Sequence, residues 1–287
     1  MKPPRFEYEA PASLGETLPL LGEAATVLAG GQSLVPLLNL RLAFPELVVD
    51  INGVGELDYI DVAGGPLRIG AMTRHRELLE SDDLRRLFPI FHDAERVIAD
   101  PLVRNRGTIG GALCQADPSE DLSAVCTTLD AMCVIRGPGG ERVVTMAEFY
   151  RGPYETAVGA DEILTEIRIP MRPNGSSAFE KVGRRAGDWA VVSCGAAVWL
   201  DDGLITDARV GLAAVGPNTT GIPAVSQALQ AKPPSEELYA EAGEIAAGSC
   251  TPVTDQRGSA AYKRHLAAEL TRRALRRAVA RVNGEAR

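Results

Sequence analysis

The residues of this chain best suited to chemistry lie in two glycine-rich segments. The first reads AGGQS, residues 29–33 (Ala29, Gly30, Gly31, Gln32, Ser33), between the apolar run ATVL and a second run, LVPLLNLRL, that begins at Leu34. Glycines between a strand and a helix start let the backbone curl and bring N–H groups to an anion with no Cβ in the way. The helix start adds a favourable field, and Ser33 adds a hydroxyl donor. Taken alone, the same residues are more often a plain turn. They lack the Gly-Lys-Ser/Thr ending of a triphosphate-binding loop, and GVGELD at 53–58 lacks the third glycine of a Rossmann fingerprint.

The second segment, RNRGTIGGALCQADPSED, spans residues 104–121. It sets Thr108 and Ile109 before the glycine pair Gly110 and Gly111, continues through Ala112, and carries Asp117 and Asp121. Two anion-cradling loops in one domain fit a ligand with a pyrophosphate bridge, such as a dinucleotide. A carboxylate past the second loop suits a ribose hydroxyl, which it can accept from. Asp121 also fits the first turn of a helix, where the dipole favours negative charge. Arg104 and Arg106 read either as phosphate contacts or as surface ion pairs.

Other chemistries are poorly supplied. The five cysteines (114, 126, 133, 194 and 250) include no C-x-x-C pair, and the histidines at 75, 92 and 265 stand apart. That disfavours a disulfide framework and a metal or iron–sulfur site within the chain, so redox chemistry would need an organic cofactor. A net charge of −8 argues against a nucleic-acid binder. No apolar stretch is long enough to span a membrane, and the opening MKPPRFEYEAP lacks a secretory apolar segment, so a cytoplasmic protein is expected. Basic residues gather from Lys263 to Arg281 beside Leu266, Leu270, Ala274, Ala278 and Val282, at the spacing of one helix face. This reads as an amphipathic helix whose basic face is either solvated or a dock for an acidic partner.

The elements that must position the loops follow from pattern. Ser13 caps a helix in SLGETLPLLGE, ATVL and ELVVDING are strands, and a helix begins at or just after Ser33 with Pro36 in its first turn. LDYIDVAGGPLRIGAM reads as a hairpin, and residues 75–98 as helix broken at Pro89. The glycine-rich segment is expected as loop, leading to a helix over about 119–129 and a strand over 131–136. MRPNGSS marks a domain boundary; beyond it, strands that include the Asp-Gly hairpin WLDDGLI alternate with helices near 222–230 and 235–247.

These segments, in this order and spacing, resemble the flavin-binding medium subunit of the molybdenum hydroxylases, the family of carbon monoxide, xanthine, nicotine and caffeine dehydrogenases. The pieces that carry the resemblance are LAGGQSLVPLLNLRLAFPELVVDI, IGAMT, IADPLVRNRGTIGGALCQADPSEDL, EILTEIRIP, FEKVGRRAGDWA and AYKRHLAAELTRRAL, and they cover nearly the whole chain. The resemblance implies an α+β protein with a two-part FAD-binding domain of the p-cresol methylhydroxylase/vanillyl-alcohol oxidase (PCMH/VAO) type over 1–173, with subdomains of about 1–56 and 57–173. A smaller α+β domain of the CO dehydrogenase flavoprotein C-terminal type would occupy 174–287. It further implies that Ala29 to Leu34 and Thr108 to Ala112 wrap the FAD pyrophosphate from two sides, that Asp121 meets the adenosine side, and that Leu164 packs near the cofactor. Lys181 and Trp189 would reach the isoalloxazine ring. Relatives carry His at Gln32, Asn at Ala112 and Tyr at Trp189, so contacts at these positions would differ here.

By the same resemblance the chain would be an electron-transfer subunit, an oxidoreductase component with no acid–base catalytic residue of its own. Its partners would be a large molybdenum–pterin subunit and a small iron–sulfur (2Fe-2S) subunit, in a dimer of heterotrimers. Arg184 and Arg185 would either favour reduced flavin by their charge or form surface ion pairs. A free-standing flavoprotein oxidoreductase, and a flavin-less assembly or binding protein of the same fold, are the competing readings of the sequence.

Overall fold

The computed structural model describes residues 2–285. Near the N-terminus, three short parallel strands, β1 (Glu7–Glu9), β2 (Ala25–Leu28) and β3 (Leu47–Asp50), form a sheet in the order β1-β3-β2. Ser13 caps helix α1 (Leu14–Thr17) as expected, but Pro19 turns its continuation into a 3-10 turn over Leu18–Leu20. Helix α2 (Leu34–Leu40) crosses from β2 to β3, and Pro36 lies in its first turn, where a missing N–H costs nothing. Leu14, Val49, Ile51, Val54 and Leu57 form this lobe's core, which Met72 and Ile163 of the next lobe complete.

The second lobe holds an antiparallel sheet of β4 (Ile60–Asp61), β5 (Leu67–Gly70), β6 (Met132–Gly137), β7 (Gly140–Thr145) and β10 (Ile163–Ile169), in the order β4-β5-β10-β6-β7. A ribbon of β8 (Tyr150–Gly152) and β9 (Glu155–Thr156) lies beside it. The helical run expected over 75–98 is three helices, α3 (His75–Glu80), α4 (Asp82–Leu87) and α5 (Pro89–Glu95). The extra break falls at Ser81, whose hydroxyl accepts from Leu84 N at 3.3 Å and starts α4. The segment expected as loop contains α6 (Pro101–Arg104) and α7 (Ile109–Gln115), and α8 (Asp121–Thr128) and α9 (Met146–Phe149) follow. Asp100 and Thr108 cap α6 and α7, so the cap chemistry outweighs the low helix propensity of the two glycines.

Beyond residue 174 the strands β11 (Gly175–Gly183), β12 (Ala190–Asp201), β13 (Leu204–Ala213) and β14 (Thr220–Gly221) form an antiparallel sheet in that order. Asp202 (φ 47°) and Gly203 (φ 77°) make the tight β12–β13 turn. Helices α10 (Pro223–Leu229), α11 (Glu236–Gly248) and α12 (Ala260–Val282) cover this sheet, with Leu266, Leu270, Ala274 and Ala278 of α12 buried.

The two halves share a core. Phe179, Ala197 and Ala213 of the C-terminal sheet pack into the cluster built by the second lobe. Helix α8 lies so close to the cross-strand pair Gly195–Gly211 that added Cβ atoms would stand 2.4 Å and 2.7 Å from Thr128 Oγ1. Asp93 of α5 accepts from Arg277 at 2.7 Å and from Arg281 at 2.7 and 2.9 Å. The acidic partner of the terminal helix is therefore in the chain itself. Lys263 likewise pairs with Asp255, whereas Arg264, Arg273 and Arg276 remain on the exposed side, Arg276 in a surface pair with Glu236.

Candidate functional site

The two glycine-rich segments meet. Gly30 is buried against the second segment, and a Cβ placed on it would stand 2.2 Å from Arg106 O and 2.7 Å from Gly107 Cα. Gly31 has φ +74°, in the region glycine alone enters without strain. Val35 N and Leu37 N donate to Gly31 O and Ser33 O at 3.0 and 3.2 Å and launch α2. Among the described residues, none accepts from the N–H of Gly30, Gly31, Gln32, Ser33 or Leu34. Five consecutive donors are thus unmet within the described residues, which is the chemistry of an anion cradle. The Gln32 side chain folds back to donate to Gly30 O at 3.3 Å.

The second segment is built differently. Ile109 N donates to Thr73 O (3.1 Å), Gly110 N to Ala71 O (2.9 Å), and Ala112 N to Thr108 O (2.9 Å). Gly111 N donates to the Thr108 hydroxyl at 3.1 Å. The N–H groups of Ile109 and Gly110 thus lock the loop onto residues 71–73, and those of Gly111 and Ala112 close its own first turn on Thr108. What this loop offers is a rigid wall, with Gly111 close to Ala29 and the buried Thr108 hydroxyl still able to donate its own proton.

Three side chains brace the junction. Asn52 Nδ2 donates to Ala29 O at 2.8 Å, and Arg74 Nη2 donates to Asn52 Oδ1 at 2.7 Å. Arg74 Nη1 donates to Arg106 O, so one guanidinium touches the supports of both loops. Burial, and then the neighbouring Arg106 charge, lowers Arg74 from its ordinary value. Sequence reasoning missed Asn52 and Arg74. The only signal was the turn-forming D-I-N-G after β3, where Asp50 Oδ1 accepts from Asn52 N at 2.9 Å.

Beneath the second loop lies a layer of buried charge. Asp121 and Lys181 form an ion pair at 2.5 Å, both nearly inaccessible, with Lys181 Nζ also donating to Val97 O at 3.2 Å. The resemblance set these two residues at opposite ends of a dinucleotide; the structure brings them to one place, because α8 packs on the C-terminal sheet. The buried Ser193 hydroxyl also neighbours the Asp121 carboxyl and favours its charged form. His75 Nδ1 lies 3.0 Å from Glu95 Oε1, and its ring fills the space under Gly107. Glu120 caps α8 through Leu122 N (3.0 Å) and Ser123 N (2.7 Å); burial, and then the nearby Asp121, pushes its carboxyl up to about 7. Leu164 is buried in the central core beside a bulge in β10. Trp189 is exposed at the start of β12, after a loop whose Gly187 rests on Ala99. Arg185 is largely exposed and only 3.8 Å from Asp188, a weak surface pair.

With this geometry in hand, the comparisons are decisive. A family model described as the FAD binding domain in molybdopterin dehydrogenase matches residues 4–172, and one described as the CO dehydrogenase flavoprotein C-terminal domain matches residues 177–278. The chain belongs to the FAD-binding medium subunits of the molybdenum hydroxylases. Within this family, the carbon monoxide dehydrogenase medium chain of Hydrogenophaga pseudoflava is 39% identical over 285 residues, covering 98% of this chain and 99% of that one. The glyceraldehyde dehydrogenase medium chain of Sulfolobus acidocaldarius is 34% identical, with coverage of 96% and 99%. A solved carbon monoxide dehydrogenase from Hydrogenophaga pseudoflava superposes with a TM-score of 0.94 at 40% identity, covering 98% and 99% of the two chains. Quinoline 2-oxidoreductase from Pseudomonas putida 86 gives 0.92 at 34%, covering 99% of each.

The site fits the family's cofactor. A diphosphate needs donors at a close backbone approach, which the unmet N–H groups beside Gly30 supply. Among the described residues, no helix is long and apolar enough to cross a membrane.

Proposed function

We propose that this chain is the electron relay of a heteromeric molybdenum hydroxylase, receiving electrons from an iron–sulfur subunit and delivering them to an external acceptor. Bound FAD supplies the redox chemistry, since a flavin exchanges electrons singly or in pairs; the protein binds, orients and shields it. The observation that carries the reading is the meeting of the two loops around five unmet N–H donors, in a chain matched end to end by medium chains of such enzymes. In this reading Gly30 to Leu34 hold the diphosphate by their main chain, and Thr108 to Ala112 form the opposing wall. The Asp121–Lys181 pair sits under the nucleotide, with Leu164 and Trp189 bordering the cofactor. The protomer joins a molybdenum–pterin large subunit and an iron–sulfur small subunit in a cytoplasmic dimer of heterotrimers.

The test is a native pull-down of the tagged chain, followed by stopped-flow absorbance near 450 nm. The expected result is co-purification of two partners and flavin bleaching by substrate only when both are present. An isolated chain that turns over its own small substrate, or one that cannot be loaded with FAD, would overturn the reading.

A further inference from the structure

Arg106 stands out among the guanidinium groups around the cradle. Arg104 donates to Ile98 O and Ala99 O at 2.7 and 3.1 Å, and Arg74 is held by Asn52 and by the Arg106 carbonyl. The Arg106 side chain is exposed, and among the described residues it meets no hydrogen-bond acceptor and no carboxylate. Its main chain nevertheless sits at the tightest point of the junction, against Gly30.

Its charge is felt where the first loop leaves the sheet. It lowers both the Asp50 carboxyl and the Arg74 guanidinium, and the carboxylates of Asp58, Glu77 and Asp50 oppose the latter effect. Asp50 does not neutralise Arg106 directly, because its oxygens are taken by Tyr8 OH at 2.6 Å and by Asn52. Two like charges are therefore near enough to oppose each other, at the junction where Arg74 holds the Arg106 carbonyl against Gly30 and the first-loop N–H groups have no protein acceptor among the described residues. Without an anion this arrangement is repulsive; with one, every member of it becomes favourable.

Building on the assignment of FAD to this site, we propose that Arg106 is the counter-charge that binds the FAD diphosphate, and that Arg74 is the positioning residue that holds Arg106 and Ala29 in register for it. A planar guanidinium presents paired donors to phosphate oxygens, which a lysine would match in charge but not in geometry. Exposure keeps the contribution moderate and sensitive to salt.

The test is FAD titration of the full-length, deflavinated chain, followed by quenching of flavin fluorescence at several KCl concentrations. Arg106→Gln should weaken FAD binding about tenfold at low salt and flatten its salt dependence, with the melting temperature of the flavin-free chain no lower than that of wild type. Arg106→Lys should recover part of the affinity and the full salt dependence. Arg86→Gln, which removes an exposed charge on α4 paired with Asp83, should match the wild type. Arg74→Gln should weaken binding while retaining the wild-type salt dependence, because Arg106 remains. An Arg106→Gln chain with wild-type affinity and salt dependence overturns the inference while leaving FAD binding intact. A wild-type chain that takes up no FAD would instead overturn the assignment of the cofactor itself.

Discussion

Gly30→Ala is the sharpest perturbation of the cradle, because the space for a single methyl group is already taken by backbone. The added carbon would stand 2.2 Å from Arg106 O and 2.7 Å from Gly107 Cα. Ordinary contact begins about 1 Å further out. The second loop cannot yield: Gly107 N donates to Val103 O at 2.7 Å, and Gly107 O accepts from His75 N at 3.1 Å. The first loop must therefore move outward by about 1 Å. Overpacking of this kind costs about 1–3 kcal/mol, which for a domain of this size lowers the melting temperature by about 2–12 °C. The effect on the cofactor is larger. Loss of two N–H bonds to a charged acceptor, at about 1.5 kcal/mol or more each, weakens FAD binding at least about a hundredfold.

Gly31→Ala makes the control. Its penalty is the φ of +74°, about 1–2 kcal/mol, and its nearest neighbours are the yielding side-chain ends of Val35 and Leu28 at 3.1 and 3.2 Å. FAD content after desalting, read from the ratio of flavin to protein absorbance, together with a melting curve, should rank wild type, Gly31→Ala and Gly30→Ala in that order. A Gly30→Ala chain that retains stoichiometric FAD and melts within a degree of wild type would refute the junction geometry.

Three further outcomes follow from the buried charges and thiols. Asp93→Ala strips the acceptor from the nearly buried Arg281 and from Arg277, and should cost about 3–5 kcal/mol in urea denaturation, with earlier release of the C-terminal half seen by Trp fluorescence. Folding raises Glu120 from 4.5 to about 7, so the native state holds the extra proton and stability falls by about 3 kcal/mol as pH climbs through that window; Glu120→Gln should flatten the profile. Burial alone would lower His75, but the Glu95 charge raises it, so loss of its proton at higher pH acts in the same destabilising sense. Of the five cysteines only Cys114 is exposed; a maleimide should label one site per native chain against five after unfolding.

Much of this arrangement was legible because it is local. The start of α2 at Leu34, the Asp-Gly hairpin and the amphipathic α12 each follow from signals within a few residues of one another. Helix α7 was hidden because its glycines depress propensity, while the Thr108 cap that rescues it is a single residue. The two glycines of the first loop looked alike in sequence, but Gly31 answers a conformational requirement and Gly30 a steric one. Asn52 and Arg74 were invisible for another reason. Their role exists only once residues 29, 52, 74 and 106 are brought together, and no periodicity records a contact across that span. Pairing of Asp121 with Lys181 is non-local in the same way.

The cradle's geometry is also not the property of the N-terminal domain alone. From α12, Arg277 and Arg281 hold Asp93 on α5, and two residues further on the same helix Glu95 holds His75. His75 supports Gly107, and Gly107 with Arg106 sets the wall against which Gly30 is pressed. Each link is a packed or hydrogen-bonded contact with little slack, so a displacement at the C-terminal helix is passed on instead of being absorbed. A ligand that binds only the folded state stabilises it by RT ln(1 + L/Kd), with L the free ligand concentration. FAD held at the proposed cradle, at one end of this chain of contacts, would therefore stabilise the clamp at the other. By linkage, a chain weakened at Asp93 should need more FAD to reach the same occupancy, although no atom of Asp93 belongs to the cradle.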